Sequence, residues 1–97
     1  MNWFVYLLEC RNGSIYTGIC INVAARYAQH ASGKGARYTR AYPPLRLLAT
    51  ITCADRSAAS RMEYRIKQLS AQAKRALAEK YAQIATGAAI SATYDRC

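Results

Sequence analysis

The chain has a single histidine, His30, and Tyr6, Tyr16 and Arg26 stand in the stretch before it. These groups can take a proton, orient a water or neutralise an oxyanion. A free tyrosine ionises near pH 10, so it is a poor base at neutrality unless a cation or an imidazole eases its ionisation. A guanidinium is matched to phosphate oxygens. Carboxylates are few: Glu9, Asp55, Glu63, Glu79 and Asp95. Hydrolysis on two metals needs several of them converging. Asp55 reads instead as a helix cap, Glu79 as part of a late helix and Asp95 as part of the tail. Glu63 follows Met62 at the edge of an apolar helical stripe, where its stem is held and its carboxylate can reach a cleft. Two readings of it stand. It is a hard oxygen ligand for one Mg²⁺ or Mn²⁺ completed by water and substrate phosphate, or it pairs with Lys67 in the favourable i,i+4 order.

Other chemistries find no support. One histidine cannot form a two-histidine acid/base pair, and there is no G-x-S-x-G elbow for a serine nucleophile. Gly33-Lys34-Gly35 is not the GxxxxGK[ST] phosphate loop. Cys10, Cys20, Cys53 and Cys97 are scattered, without the CxxC spacing of a zinc site, and read as small apolar groups kept reduced.

The 97 residues make one domain, 53% apolar and 20% charged, able to build a core without disulfides or metal. The 14 Lys and Arg against 5 Asp and Glu give a net charge of +9. Such an excess points to a polyanion, most often nucleic acid, with acidic membrane surfaces and plain solubility as the alternatives. The apolar run Trp3-Phe4-Val5-Tyr6-Leu7-Leu8 is cut by Glu9 and has no basic residues before it, so it is not a signal peptide. Nothing approaches the roughly eighteen apolar residues of a membrane span. The expectation is a cytoplasmic protein, monomeric or weakly self-associating.

The elements that must position the chemistry follow from pattern. Residues 3–10 are aromatic and β-branched on both alternating sets, as in a strand covered on both faces. A second strand, residues 14–20, follows Arg11-Asn12-Gly13, and Asn-Gly between two such runs signals a hairpin. With a two-residue loop Tyr6 would pair with Ile19, and Tyr6 and Tyr16 would lie on opposite faces. With a three-residue loop and Gly13 in the left-handed position, Cys10 pairs with Ser14, Leu8 faces Tyr16 and Tyr6 faces Gly18. The second form is predicted, and it puts both tyrosines on one side. Gly18 opposite Tyr6 then leaves room for the ring and for a phosphate to approach, or simply bends the strand.

Asn22 caps a predicted helix Val23–Ala31, along which Asn22, Arg26 and His30 recur on one face. Residues 32–46 form a basic irregular segment in which Lys34, Arg37, Arg40 and Arg46 alternate with Tyr38 and Tyr42. Rings among cations can stack unpaired bases while the charges follow the backbone, or the two tyrosines pack the loop against the body. Pro43 and Pro44 precede a third strand near residues 45–53. Asp55 caps a helix to about Leu69 with Ala59, Met62, Ile66 and Leu69 inward, and Ser70 caps another to about Ile84 with Ala73, Leu77 and Ile84 inward. The fold class is an α/β (α+β) sandwich: a small three-stranded antiparallel sheet flanked by helices, in the order β-β-α-β-α-α. It spans residues 1–84, followed by a weakly patterned tail at 85–97.

Taken together, Tyr6, Tyr16, Gly18, Arg26 and His30 at these spacings, with Glu63 on a later helix, resemble the GIY-YIG nuclease family. Its first element stands here as Phe4-Val5-Tyr6 and its second as Tyr16-Thr17-Gly18. The resemblance covers about residues 2–80 and is closest to small single-domain members, in which GSIYTGI and GKGARYTRAYPP are similar too. Ile19 stands where the excision-repair branch has a lysine, and no asparagine follows Glu63 as it does there. The resemblance implies a metal-dependent phosphodiesterase. Glu63 would hold Mg²⁺ or Mn²⁺, Arg26 would neutralise charge on the phosphoryl oxygens, Tyr6 with His30 would take a proton from water, and Tyr16 would position water or phosphate. The expected function is endonucleolytic hydrolysis of DNA, single-stranded or branched, with contacts from Gly18, Lys34, Arg37, Tyr38, Arg40, Tyr42 and Arg46. The alternative is a basic module that binds nucleic acid without cleaving it.

Overall fold

The computed structural model describes residues 2–84 in the order β1 (Trp3–Cys10), β2 (Ile15–Cys20), α1 (Val23–Ala31), α2 (Arg37–Ala41), β3 (Pro44–Cys53), α3 (Arg56–Lys67) and α4 (Ala71–Ile84). The strands form one antiparallel sheet in the order β2-β1-β3. β1 is central, and alternation along it divides the core. Val5 and Leu7 face α3 and α4 and pack with Ile15, Ala49, Ile51, Cys53, Ala59, Ile66 and Ala78. Phe4, Tyr6 and Leu8 face the other way and pack with Cys20 and with Val23 of α1. A strand apolar on both faces is thus covered on both, and the sheet is the middle layer of an α+β sandwich.

The hairpin takes the three-residue form. Tyr6 pairs with Gly18 and Leu8 with Tyr16, the Cys10 N–H donates to Ser14 O at 2.9 Å, and Gly13 has φ of 85°. Only glycine adopts that backbone without penalty. The same end of the sheet is tied by charge. Glu9 Oε1 takes Arg46 Nε at 2.7 Å and Glu9 Oε2 takes Arg75 Nη1 at 2.6 Å, while Arg75 Nη2 donates to Gly13 O at 2.7 Å. The two guanidiniums hold the Glu9 carboxyl below its ordinary range.

Helix starts follow the capping residues. Asn22 Oδ1 accepts from Ala25 N at 3.0 Å, Asp55 Oδ1 from Ala58 N at 2.8 Å, and Ser70 Oγ from Ala73 N at 3.1 Å.

Three expectations change. The segment at 32–46 is not wholly irregular, because Arg37–Ala41 is a short helix that starts beyond Gly35 and stops before the prolines. β3 begins at Pro44, whose missing N–H is harmless at the first position of an outer strand. α3 ends at Lys67, so the chain turns before Leu69 and that side chain is exposed rather than inward. The inward side chain expected at Ile84 and the tail at 85–97 lie outside the described residues. No helix among the described residues is long and apolar enough to cross a membrane.

Candidate active site

Tyr6 projects from the middle of β1 toward α1 and is 2% exposed. Gly18 lies opposite, and a Cβ there would overlap the Tyr6 ring and hydroxyl, so the bare backbone makes the room the tyrosine occupies. The Tyr6 hydroxyl meets His30 Nε2 at 2.9 Å inside the protein. His30 arrives there because α1 carries Asn22, Arg26 and His30 on one side. Its ring is fully buried at the helix's last turn. His30 Nδ1 is 2.6 Å from Thr39 Oγ1, and the Thr39 hydroxyl donates to Ala36 O at 3.0 Å. Thr39 is itself fully buried, on α2. Gly35 lies flat against the imidazole, where any Cβ would collide with Nδ1 and Cγ.

Tyr16, half-buried, extends the cluster outward. Its ring centroid is 5.3 Å from His30, 6.3 Å from Tyr6 and 6.0 Å from Tyr38, with which it stacks at 22°. Tyr42 follows at 5.1 Å from Tyr38. Both expected uses of Tyr38 find a basis. Its hydroxyl donates to Ser14 Oγ and accepts from Asn12 Nδ2 at 3.3 Å, which anchors the segment to the hairpin. Yet Tyr38 and Tyr42 remain 39% and 43% exposed, open for stacking.

Arg26 is half-buried, with Nη1 donating to Gln29 Oε1 at 2.7 Å, and its charge acts on both inner groups. Burial pushes the Tyr6 hydroxyl up to about 12, and the Arg26 guanidinium offsets part of the rise. Burial, and then the Arg26 charge, hold His30 at about 4. Tyrosine and histidine are therefore both neutral at pH 7.

The remaining expected residues are distributed unevenly. Glu63 is half-buried on α3, across the sheet from Tyr6, and its Oε2 pairs with Lys67 Nζ at 3.4 Å. No hydrogen bond joins it to Tyr6, Tyr16, Arg26 or His30 among the described residues, and nowhere among them do three His, Cys, Asp or Glu side chains gather as a metal cluster. A cleft of about 320 Å³ at the edge of β2 is lined by Tyr16, Thr17, Tyr38, Lys67 and Lys74. Lys34, Arg37 and Arg40 are exposed around α2, on the Tyr38 side. Arg46 is elsewhere: it faces α4 in the Glu9 and Arg75 network, away from Tyr6. Sequence reasoning missed Thr39 and Gly35. Their only signal was proximity to His30 in a segment read for its cations and rings.

The GIY-YIG catalytic domain family model matches residues 2–76. The chain belongs to the GIY-YIG family. Relatives include the UPF0213 protein of Desulfotalea psychrophila, 54% identical over 77% of this chain and 69% of its own. That of Cupriavidus pinatubonensis is 48% identical over 84% of this chain and 90% of its own. The solution NMR structure of a UPF0213 protein from Bacillus halodurans superposes with a TM-score of 0.51 at 48% identity, covering 81% of this chain and 84% of that one. Membership makes this a nuclease fold.

Proposed function

We propose that the protein is a divalent-metal-dependent endonuclease that hydrolyses DNA phosphodiester bonds in single-stranded or branched DNA. The observation that carries this reading is the 2.9 Å bond between the Tyr6 hydroxyl and His30 Nε2, closed from solvent behind Tyr16 and next to Arg26.

The resting protonation of the pair bears on how a proton moves. With burial raising Tyr6 to about 12 and holding His30 at about 4, the neutral pair is the resting form at pH 7. Tyr6 therefore does not ionise in advance. Its oxygen takes a proton from the attacking water while its own proton passes to Nε2, so the charge ends on His30 and not on the phenol. The water oxygen bonds phosphorus, the phosphorus bond to the leaving oxygen breaks, and that oxygen takes a proton from solvent. Arg26 balances charge on the phosphoryl oxygens. Tyr16, at the cleft, orients water or phosphate.

Glu63 fits a hard cation: one carboxylate, 24% exposed, leaving the other positions to water and phosphate oxygen. A bound Mg²⁺ or Mn²⁺ supplies charge neutralisation at the scissile phosphate and the leaving oxygen. Exposed Tyr42 with Lys34, Arg37 and Arg40 suits unpaired bases and their backbone.

The test is incubation with labelled single-stranded, duplex and branched DNA, with and without Mg²⁺ or Mn²⁺. Metal-dependent products, preferentially from single-stranded or branched DNA and absent in Glu63→Ala and His30→Ala, are expected. A second reading rests on the Glu63–Lys67 pair, in which the carboxylate is already neutralised: a basic module that binds nucleic acid without cutting. Binding without any metal-dependent product would establish it.

A further inference from the structure

We infer that Thr39 is a positioning residue that locks His30 in the tautomer with its proton on Nδ1, leaving Nε2 bare to receive the Tyr6 proton. The inference rests on the nuclease reading for its purpose but not for its geometry.

The assignment follows from counting hydrogens. A threonine hydroxyl has one proton. At 3.0 Å from Thr39 Oγ1 stands Ala36 O, a carbonyl that can only accept, so the Thr39 proton is committed there. Thr39 Oγ1 can then only accept across its 2.6 Å contact with His30, so Nδ1 carries the hydrogen. A neutral imidazole has one N–H, and Nε2 is the acceptor. The Tyr6 hydroxyl at 2.9 Å is therefore the donor. The opposite tautomer would turn every link around: Nε2–H would point at Tyr6, and the Tyr6 proton would need another acceptor beside a ring 2% exposed, where the other group bonded to that hydroxyl is the Arg26 guanidinium, which can only donate.

The surroundings keep the ring in place. His30 and Thr39 are each fully buried, so bulk water cannot substitute for either partner. Gly35 lies close beside the ring, where any side chain would collide with Nδ1 and Cγ. Ala36 O also accepts the Arg40 N–H at 3.1 Å, so the acceptor that orients Thr39 is held by the α2 backbone. The short helix α2 thus has a defined task. It delivers one hydroxyl, correctly polarised, to the far side of the imidazole. The wrong tautomer disables an imidazole base even where its geometry is intact.

His30 is the only histidine in the chain, so imidazole ¹⁵N resonances report it without overlap. In the metal-free protein at pH 7, long-range ¹H–¹⁵N spectra should show Nδ1 protonated and Nε2 bare. Thr39→Val, nearly isosteric but without the hydroxyl, should move the ring toward the Nε2–H form, and Thr39→Ser should restore the wild-type pattern. In cleavage assays kcat should fall roughly 100-fold in Thr39→Val with KM for DNA unchanged, and recover in Thr39→Ser. A wild-type spectrum with the proton on Nε2 would overturn the inference and needs no variant to fold. So would a folded Thr39→Val protein with the wild-type tautomer. The spectra stand apart from activity: a protonated Nδ1 with no cleavage of any DNA refutes the nuclease reading and leaves the tautomer lock in place.

Discussion

Tyr6 and Gly18 occupy one another's space, and the site depends on that exchange. A methyl group at position 18 would land on the Tyr6 hydroxyl and ring, and the backbone of β2 on one side and the packed core on the other leave the tyrosine little room to withdraw. Gly18→Ala is expected to lower stability by about 1–3 kcal/mol through overpacking. Because the displaced atom is the one bonded to His30, cleavage should fall about 100-fold even in the folded fraction. Thermal unfolding and single-turnover rates on the same preparation check the two effects separately. An alanine variant with wild-type rates would show that the Tyr6 hydroxyl position is not critical. The gathering of Tyr6, Tyr16 and His30 was legible in the sequence because alternation along a strand and fourfold spacing along a helix are the two periodicities side chains obey. The role of Glu63 was legible only as a choice, since the spacing that lets it reach a cleft also lets it reach Lys67, and the pair at 3.4 Å exists.

At the scale of elements, the hairpin was readable in detail and α2 was not. Asn12-Gly13 between two apolar runs fixes both turn and register, since Gly13 as third loop residue takes the positive φ that a bulge turn needs. A five-residue helix has too few turns to show a periodic face, and Arg37–Ala41 sits between glycines and prolines that argue for irregular chain. The helix is held by what it touches, Thr39 inside and Tyr38 on Tyr16, which are tertiary facts. Leu69 failed for a related reason: the apolar stripe continues in sequence past the point where the helix stops at Lys67. The turn yields a prediction that contrasts with Gly18. Nothing crowds a Cβ at Gly13, so Gly13→Ala meets only the backbone penalty of φ at 85°, about 1–2 kcal/mol. Once folded, the variant should cleave at the wild-type rate. A loss of cleavage in fully folded Gly13→Ala would mean that the register had slipped, which cross-strand amide contacts by NMR would show as Tyr6 against Ile19.

Across the whole molecule, two properties depend on how charge is distributed. The first is acid sensitivity. His30 titrates near 6.5 when unfolded and near 4 when folded, so below pH 6.5 the unfolded chain binds the extra proton and stability falls with pH until about 4. The full shift amounts to about 3 kcal/mol. Glu9, also held low, contributes only further toward acid, below its unfolded value of 4.5. Denaturation midpoints between pH 7 and 4.5 should therefore drop in the wild type and stay nearly flat in His30→Gln, and equal slopes would disprove the assignment. The second is the use of the +9 charge. Each phosphate neutralised on a single strand contributes about 0.7 to the slope of log K against log salt. Arg37 and Arg40 are exposed beside Tyr38 and Tyr42, whereas Arg46, though its side chain is 66% exposed, spends its Nε on Glu9 across the sheet from Tyr6. Arg37→Ala and Arg40→Ala should each flatten the slope by about that amount for single-stranded DNA, and Tyr42→Ala should weaken binding by about 1–3 kcal/mol with the slope unchanged. Arg46→Ala should leave both affinity and slope alone while lowering the unfolding temperature. If Arg46→Ala flattens the slope as much as Arg37→Ala does, the strand also crosses the α4 face, and the path of DNA wraps the sheet edge instead of following the tyrosine row.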